Sequence, residues 1–317
     1  MNMNAQEIAR EMRNYTEFRI VYHIRPDGDC IGSAYALGLA LQSVGKRCEV
    51  IGEYPVPAQH RYLTDVFRSD PLTDPVWVSV DSAGPDRAGC YGGEHFTFCI
   101  DHHRGNSIEA DFKCVEEDCG ACSEIILKVI RGIGAQVTKP VADLLYMALV
   151  SDTMSFRTAD TDAQTFETAA ELYRCGADVY RIGRNHTFYK SAGRMRIEQL
   201  LTESFHYTCE GRILTGIITQ ADLQAAGIED SALEGINCFM ERIEGVRISG
   251  TIRELADGKL RVSVHTNGNI SADAIVREFG GAGHFHAAGC VIPDRTAGEV
   301  RGMLEETCRR HLEEETT

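Results

Sequence analysis

The segment Phe96-Thr97-Phe98-Cys99-Ile100-Asp101-His102-His103 places a short apolar run directly before one acid and two histidines. The apolar run has the length and composition of a buried strand, and successive side chains at a strand end point in different directions. One histidine can therefore face a metal ion while its neighbour faces a substrate or a supporting polar group. The tripeptide alone is weak evidence, and its weight comes from other segments that offer similar side chains in similar places.

Three predicted strands in the first part of the chain end in acidic or imidazole side chains. The strand at 18–22 is followed by His23, the strand at 76–80 by Asp81, and the strand at 96–100 by Asp101. Helical patterns separate the early strands, which is typical of an α/β fold with a doubly wound, mostly parallel sheet. Ligands of such sheets bind outside the carboxyl ends of the strands. The sequence therefore predicts one site at one edge of an N-terminal sheet.

The chain has 317 residues, which is too long for one small core and predicts two domains. Residues 1–180 contain the strands above and form the predicted catalytic domain. The polar, helical stretch 181–206 is predicted to be a linker. Residues 207–317 form a predicted smaller α/β substrate-binding domain, with a hairpin turning through Asp257-Gly258.

The charge balance limits the partners of this protein. It has 47 acidic and 32 basic side chains, for a net charge of −15. A binder of long nucleic acid normally presents a basic face to the phosphates, so we expect no such partner. A small anionic substrate held by metal ions and a few local cations remains compatible. No apolar run is long enough to span a bilayer and no apolar signal core is present, so we expect a cytoplasmic protein without a membrane partner.

The chain contains 12 cysteines, scattered mostly through apolar segments, and we interpret them as reduced thiols. Cys119 and Cys122 form a CxxC pair. No second pair of this kind lies nearby, so a structural role is favoured over a redox pair or half of a zinc site.

The candidate metal ligands are carboxylates and imidazoles at the ends of predicted elements. They are His23, Asp27, Asp29, Asp81, Asp101, His102, His103 and Asp152. This ligand set, without thiolate, suits Mn²⁺ or Mg²⁺ better than a structural zinc ion. Two metal ions about 3.5–4 Å apart are a standard arrangement for displacement at phosphorus. Each residue alone could be a turn former, a helix cap or a surface histidine, and only their joint placement points to a metal site.

The ordered motifs resemble those of the DHH phosphoesterase superfamily. They are His23-x-x-Pro26-Asp27-x-Asp29-x-x-Gly32-Ser33, Val80-Asp81, Asp101-His102-His103 and Asp152-Thr153. The loop Gly280-Gly281-Ala282-Gly283-His284, followed by Ala287-Ala288-Gly289, resembles the signature of the DHH-associated C-terminal domain. Short members of this superfamily degrade nanoRNA and remove the 3′-phosphate of adenosine 3′,5′-bisphosphate, or cleave linear or cyclic dinucleotides. The resemblance thus implies a hydrolase that acts on short nucleotides, and it is compatible with a homodimer.

The resemblance also implies a role for each motif residue. One metal ion would be held by His23, Asp27 and Asp81. A second would be held by Asp29, Asp81, His102 and Asp152, so that Asp81 bridges the two ions. Asp101 would orient an imidazole, and His103 would contact a phosphate or donate a proton. The implied substrate contacts are Asn106, Gly281, Gly283 and His284, to which we add His265 and the neighbouring cation Arg157 as candidates.

Several positions depart from the family pattern. Ala282 stands where a glycine is usual, and Met154 stands where glycine is frequent. In Ser263-Val264-His265-Thr266, His265 occupies the place of an arginine in nanoRNA-degrading relatives. An imidazole cannot reproduce the bidentate grip of a guanidinium on a phosphate. The metal site is therefore predicted more firmly than the substrate.

The leading hypothesis is a phosphoesterase that uses two Mn²⁺ ions, or Mg²⁺, and acts on very short nucleotides. A cyclic-dinucleotide phosphodiesterase is the first alternative. A soluble inorganic pyrophosphatase with the same metal centre would lack the glycine–histidine loop. A non-catalytic nucleotide sensor would have lost a metal ligand, and no ligand is missing from the motifs. The sequence does not choose among oligoribonucleotide, dinucleotide and nucleotide bisphosphate.

Overall fold

The computed structural model describes residues 2–185, 190–233 and 235–315. The chain divides into two compact units, Met1–Tyr189 and Lys190–Thr317. Every cysteine whose side chain is described is a free thiol. None of the helices in the described part of the chain has the length and apolarity needed to cross a bilayer.

The first unit is built on a five-stranded sheet in which all neighbouring strands are parallel. The strands are β1 Glu17–Val21, β2 Arg47–Ile51, β3 Val76–Val80, β4 Phe96–Asp101 and β5 Ala110–Val115. Their order is β2-β1-β3-β4-β5, so the sheet grows in opposite directions from β1. Ligands bind at this switch point, outside the carboxyl ends of β1 and β3. His23 and Asp81 follow those two strands, so the topology brings them to one place.

The helices of the first unit cover mainly one face of the sheet. They are α1 Ala5–Met12, α2 Gly28–Ser43, α3 Arg61–Thr64, α4 Cys122–Gly132, α5 Lys139–Asp152, α6 Ala163–Arg174 and α7 Val179–Gly183. Ile20 and Ile100 point into the large core that these helices share. Val21 and Cys99 point to the opposite face, where Ala88 joins a smaller apolar cluster. The predicted α/β class with a parallel N-terminal sheet is confirmed.

Helices α2 and α5 approach each other closely, and this contact positions two acids. A Cβ atom on Gly32 would lie 2.4 Å from the carbonyl oxygen of Leu144, which is far inside van der Waals contact. Only glycine allows this approach. Asp29 lies in the first turn of α2, and Asp152 is the last residue of α5. The packing of the two helices therefore holds both carboxylates at the same end of the sheet.

The second unit contains a mixed six-stranded sheet with the order β10-β11-β9-β8-β7-β6. Its strands are β6 His206–Thr208, β7 Ile213–Ile218, β8 Ile248–Glu254, β9 Leu260–Thr266, β10 Ala282–Gly283 and β11 Ala287–Ile292. Its helices are α8 Ala192–Glu203, α9 Gln220–Ala226, α10 Asn237–Glu241, α11 Ala272–Arg277 and α12 Ala297–Glu315. Helices α11 and α12 pack in one apolar cluster, and α8, α9 and α10 pack in another.

The stretch predicted as a linker contains two helices that pack in different units. Ile182 of α7 is buried in the core of the first unit. Ile197 and Leu201 of α8 are fully buried against β7 in the second unit. The apolar stripe of α8 was not predicted, because charged residues are frequent in this helix. The structure thus assigns α8 to the second unit, and the domain boundaries at residues 180 and 207 stay predictions.

Candidate functional site

The six predicted metal ligands meet at the carboxyl end of the first sheet. Their donor atoms form three groups, each within 4.8 Å, of which the first also includes the thiol of Cys30 and the second also includes the imidazole of His103. The groups are His23, Asp27, Cys30 and Asp81; Asp81, His102 and His103; and Asp29, His102 and Asp152. Asp81 links the first group to the second, and His102 links the second to the third. The site is therefore one continuous cluster in the first unit.

Asp81 lies at the centre of this cluster. Its Oδ2 is 3.7 Å from Nε2 of His23, and its Oδ1 is 3.5 Å from Nε2 of His102. Oδ1 is buried and has no hydrogen-bond partner in the described part of the chain. A buried carboxylate oxygen without a partner is costly unless a cation meets it, so this side chain fits a bridging metal ligand. The backbone of Asp81 has φ +56°, an uncommon conformation that is typical of functional positions.

The two carboxylate oxygens of Asp27 have different contacts, one with the start of a helix and one with the site. It is the N-cap of α2, and its Oδ1 accepts the amide N–H of Cys30 at 3.0 Å. Its Oδ2 lies 3.3 Å from Nε2 of His23. Burial raises the pKa of Asp27, but the charge of His23, hydrogen bonds from His23 and the Cys30 amide, and a smaller effect of Arg87 together bring the pKa below its usual range. Asp27 is therefore ionised and can serve as a metal ligand.

Asp29 is fully buried at the N-terminus of α4. The amides of Cys122 and Ser123 donate to its two carboxylate oxygens at 2.7 and 3.2 Å, where the helix dipole favours negative charge. Even so, burial and the charges of Asp81 and Asp152 raise the pKa of Asp29 well above its usual range. A divalent cation would remove this repulsion, because its charge favours the ionised carboxylates.

His102 is oriented by a backbone carbonyl. Its Nδ1–H donates to the carbonyl oxygen of Cys119 at 3.0 Å. Its Nε2 then faces Asp81 at 3.5 Å and Asp152 at 3.4 Å. This is the usual arrangement of a metal-binding histidine, in which one ring nitrogen is held by a carbonyl and the other is the ligand. Burial lowers the pKa of His102, but Asp29 and Asp152 raise it by more.

The buried Asp101 and the half-buried His103 form a pair beside the ligands. Nδ1 of His103 lies 2.7 Å from Oδ1 of Asp101, and the side-chain amide of Asn106 donates to the other oxygen of Asp101. Burial raises the pKa of Asp101, but His103 and Asn106 lower it below its usual range. The ionised Asp101 therefore holds the proton on Nδ1 of His103. Asn106 also donates to the carbonyl of Ser82 at 2.8 Å, and its role as a substrate contact stays a prediction.

Sequence interpretation missed contributions that come from backbone atoms and from one distant cation. The CxxC segment serves the site through the carbonyl of Cys119 and the amide of Cys122, not through its thiols. Any residue type carries these groups, so no sequence signal could reveal them. Cys30 adds a thiol to the first ligand group. Arg87 lies against His23, and a single arginine in a loop forms no recognisable motif.

In the second unit, the predicted glycine loop is a tight hairpin of β10 and β11. A Cβ atom on Gly281 would lie 2.5 Å from the carbonyl oxygen of Gly289, and one on Gly283 would lie 2.4 Å from Cα of Ala288. These glycines are therefore required by close strand packing, whatever else they do. His284 follows them on an exposed turn, and its amide donates to the carbonyl of Ala287 at 2.8 Å.

Two further candidates for substrate contacts occupy different units. His265 lies on β9 opposite Ala287 of β11, and its Nδ1 is 2.7 Å from Oε2 of Glu241. Arg157 of the first unit is exposed, and its Nε donates to the carbonyl of Met154 at 2.8 Å. Met154 has φ +46°, which explains why glycine is favoured at that position. The substrate roles of His265 and Arg157 stay predictions.

We expect Mn²⁺ to raise the Tm of the metal-free protein, and to raise it more at pH 8 than at pH 6. Burial and neighbouring carboxylates raise the folded-state pKa values of Asp29 and Asp81 above those of the unfolded chain. A raised carboxyl pKa contributes stability that is present below about pH 4 and is lost as the pH rises through the folded-state value. The metal-free fold therefore becomes less stable at higher pH, and a bound cation removes this loss. At 100 times its Kd the ion should add about 2.7 kcal/mol.

Differential scanning calorimetry at both pH values, with and without Mn²⁺, measures this effect. An equal or smaller rise in Tm at pH 8 would contradict the assignment of the buried acids as metal ligands.

Comparison with known proteins agrees with the motifs. The DHH family, N-terminal domain, matches residues 17–149, and the DHHA1 domain matches residues 214–310. The chain is 28% identical over 303 residues to the bifunctional oligoribonuclease and PAP phosphatase NrnA of Thermus thermophilus, covering 92% of this chain and 89% of that protein. It is 22% identical to the NrnA protein of Bacillus subtilis, covering 96% and 99% of the two chains.

A more distant relative and a solved structure complete the comparison. The cyclic-di-AMP phosphodiesterase GdpP of Geobacillus thermodenitrificans is 25% identical, but the match covers 70% of this chain and only 33% of GdpP. The crystal structure of an exopolyphosphatase-related protein from Bacteroides fragilis has a TM-score of 0.85 and 19% identity, covering 97% and 96% of the two chains, and it shares the fold. The two domain matches span more than half of the sequence, and the chain belongs to the DHH family of metal-dependent phosphoesterases, with a DHH N-terminal domain followed by a DHHA1 domain.

Proposed function

We propose that this protein is a manganese-dependent phosphodiesterase and phosphatase for very short nucleotides. Its substrates are oligoribonucleotides of a few residues, linear dinucleotides, and the 3′-phosphate of adenosine 3′,5′-bisphosphate. The observation that carries the proposal is Asp81, whose two oxygens face two different ligand groups while the buried Oδ1 has no hydrogen-bond partner among the described residues. The relatives described as oligoribonucleases and PAP phosphatases support the choice of substrate.

The metal ligands divide into two sets around Asp81. His23, Asp27 and Asp81 would hold one ion, and Asp29, Asp81, His102 and Asp152 would hold the other. When bound, such ions provide hydroxide at neutral pH and neutralise charge on the phosphoryl oxygens. Mn²⁺ accepts both the carboxylates and the imidazoles of these sets, which favours it over Mg²⁺, an ion that prefers oxygen ligands alone.

His103 is the proposed proton donor to the leaving oxygen. Asp101 holds the proton on Nδ1, which leaves Nε2 as the ring nitrogen that exchanges a proton with the substrate. In the second unit, the exposed side chain of His284 would place the phosphate and sugar of the nucleotide. Catalysis and substrate placement are thus assigned to different units.

We expect kcat/KM to be highest for substrates of two to about four nucleotides and to fall for longer strands, because each additional phosphate needs a cation to favour binding. The chain has 47 acidic and 32 basic side chains, so phosphates beyond the site meet a neutral or repelling surface. The decisive comparison is a dinucleotide with a twenty-nucleotide strand of the same base at equal Mn²⁺ and salt. Equal or faster cleavage of the long strand, with a steep salt dependence, would overturn this substrate class.

Cyclic dinucleotides are the second candidate substrates, favoured by the partial match to GdpP. They belong in the same assay, together with the linear dinucleotide and adenosine 3′,5′-bisphosphate. Hydrolysis of the cyclic compound with a higher kcat/KM than the linear one would favour this alternative. Absence of turnover on all of them in protein that binds Mn²⁺ would favour a nucleotide sensor.

A further inference from the structure

Arg87 contacts the ring of a predicted metal ligand, His23. Its Nη2 lies 3.2 Å from Nδ1 and 3.3 Å from Nε2 of His23. An atom nearly equidistant from both ring nitrogens lies over the ring face, because in the ring plane it would collide with Cε1. A guanidinium N–H therefore points at the face of the imidazole. Nδ1 of His23 donates to the carbonyl oxygen of Ile24 at 2.9 Å, so Nε2, whose lone pair lies in the ring plane, is the ring nitrogen available to a metal ion.

The backbone around Arg87 fixes this position. The amide of Ile24, directly after His23, donates to the carbonyl of Arg87 at 2.7 Å, and the amide of Arg87 donates to the carbonyl of Gly84 at 3.0 Å. The loop that follows β3 is thus joined to the loop that follows β1. Arg87 is held at the switch point of the sheet, on the same side as the metal ligands.

The ligand cluster beside Arg87 carries an excess of negative charge. Five carboxylates lie in or beside the ligand cluster: Asp27, Asp29, Asp81, Asp101 and Asp152. Within the described ranges Arg87 forms no salt bridge with an acidic side chain, although its charge acts on Asp27 and Asp81. Two divalent ions would neutralise most of the carboxylate charge and leave the guanidinium available to another anion. A guanidinium binds phosphate oxygens through charge-assisted hydrogen bonds.

We propose that Arg87 binds a non-bridging oxygen of the substrate phosphate beside the ion held by His23. This inference rests on the proposed phosphoesterase function and adds a substrate-binding residue to it. A purely structural role is the competing explanation, in which Arg87 only holds the His23 ring for the metal. The two explanations predict opposite effects on metal affinity. A cation that binds phosphate repels the metal, whereas a residue that positions a ligand supports it.

The test compares Arg87→Gln and Arg87→Lys with the unmodified protein in three measurements. Calorimetric titration gives the affinity for Mn²⁺, and relaxation of the ³¹P signal of inorganic phosphate by bound Mn²⁺ gives the phosphate affinity. Steady-state kinetics with a linear dinucleotide give kcat and KM. For Arg87→Gln we expect unchanged or tighter Mn²⁺ binding, and phosphate affinity about 10- to 100-fold weaker, as for loss of a charged hydrogen bond. The value of kcat/KM should fall by at least the same factor, and Arg87→Lys should recover part of both losses.

A matched control is Arg19→Gln, which removes another arginine that contacts a ring in the same unit. Arg19 lies 4.8 Å from the centre of the Trp77 ring and forms an ion pair with Glu49, away from the ligand cluster. The Arg19→Gln variant should have the same Mn²⁺ affinity, phosphate affinity and kinetics as the unmodified protein. If Arg87→Gln does not fold, Arg87→Lys alone decides, because it should weaken phosphate binding without weakening Mn²⁺ binding.

Weaker Mn²⁺ binding in either Arg87 variant, or unchanged phosphate affinity in Arg87→Gln, would overturn the proposal. Absence of phosphate binding by the Mn²⁺-loaded unmodified protein would overturn it as well. If the unmodified protein binds phosphate at Mn²⁺ through Arg87 but hydrolyses none of the short nucleotides, the proposed function fails while the role of Arg87 stands.

Discussion

Asp81→Asn is expected to lower kcat by at least about 1,000-fold, because the two metal ions of the proposed mechanism would stabilise the transition state by several kcal/mol and Asp81 is the proposed bridge between them. Asparagine is the appropriate replacement, since the backbone of Asp81 has φ +56° and asparagine tolerates this conformation better than alanine. The variant also removes one of several repelling buried charges. Its metal-free form should therefore be at least as stable as the unmodified protein, while the rise in Tm caused by Mn²⁺ should largely disappear.

The control for this variant is Asp86→Asn, an exposed acid of the same loop. It changes the net charge equally and should retain activity and the response of Tm to Mn²⁺. Initial rates on a dinucleotide and calorimetry with and without Mn²⁺ provide the comparison. If Asp81→Asn kept more than a tenth of kcat with Mn²⁺ binding intact, Asp81 would not bridge two catalytic ions.

Asp101→Asn is expected to lower kcat by about 100-fold or more with little change in KM, as for loss of a positioned proton donor. Asp101 accepts hydrogen bonds from His103 on one oxygen and from Asn106 on the other. An asparagine has a single acceptor oxygen, so one of these two donors loses its partner. The orientation or tautomer of His103 then changes, although its ring remains in place.

Asp111→Asn is the matched control, because Asp111 also pairs with a histidine, at 3.0 Å from His95 on the surface of the same unit. Its loss should leave kcat unchanged. A comparison of kcat with KM distinguishes a proton-transfer role from a substrate-binding one, since loss of a proton donor lowers kcat while substrate binding stays intact. A normal kcat in Asp101→Asn would remove His103 and Asp101 from the proposed mechanism.

The sequence alone was sufficient to predict the framework of the site. Apolar strands such as β3 and β4 are continuous, and each is followed at once by a polar side chain, so Asp81 and Asp101 could be placed at strand ends. Parallel strands bring their carboxyl ends to one edge, so the candidate ligands that follow the strands were expected together. The choice of six metal ligands came from the resemblance to the DHH superfamily and stays a prediction. Strand β5 was not predicted, because Asp111 and Lys113 interrupt its apolar pattern at the sheet edge.

Two kinds of feature could be determined only from the tertiary structure. They are contacts between residues that are distant in the chain, and contacts made by backbone atoms. The carbonyl of Cys119 and the amide of Cys122 orient His102 and Asp29, yet every residue type offers such groups. Arg87 reaches His23 only because the loops after β1 and β3 are hydrogen-bonded to each other. Local patterns determine which side chains stand at the ends of elements, whereas the arrangement of the candidate ligands in three groups linked by Asp81 and His102 follows from packing.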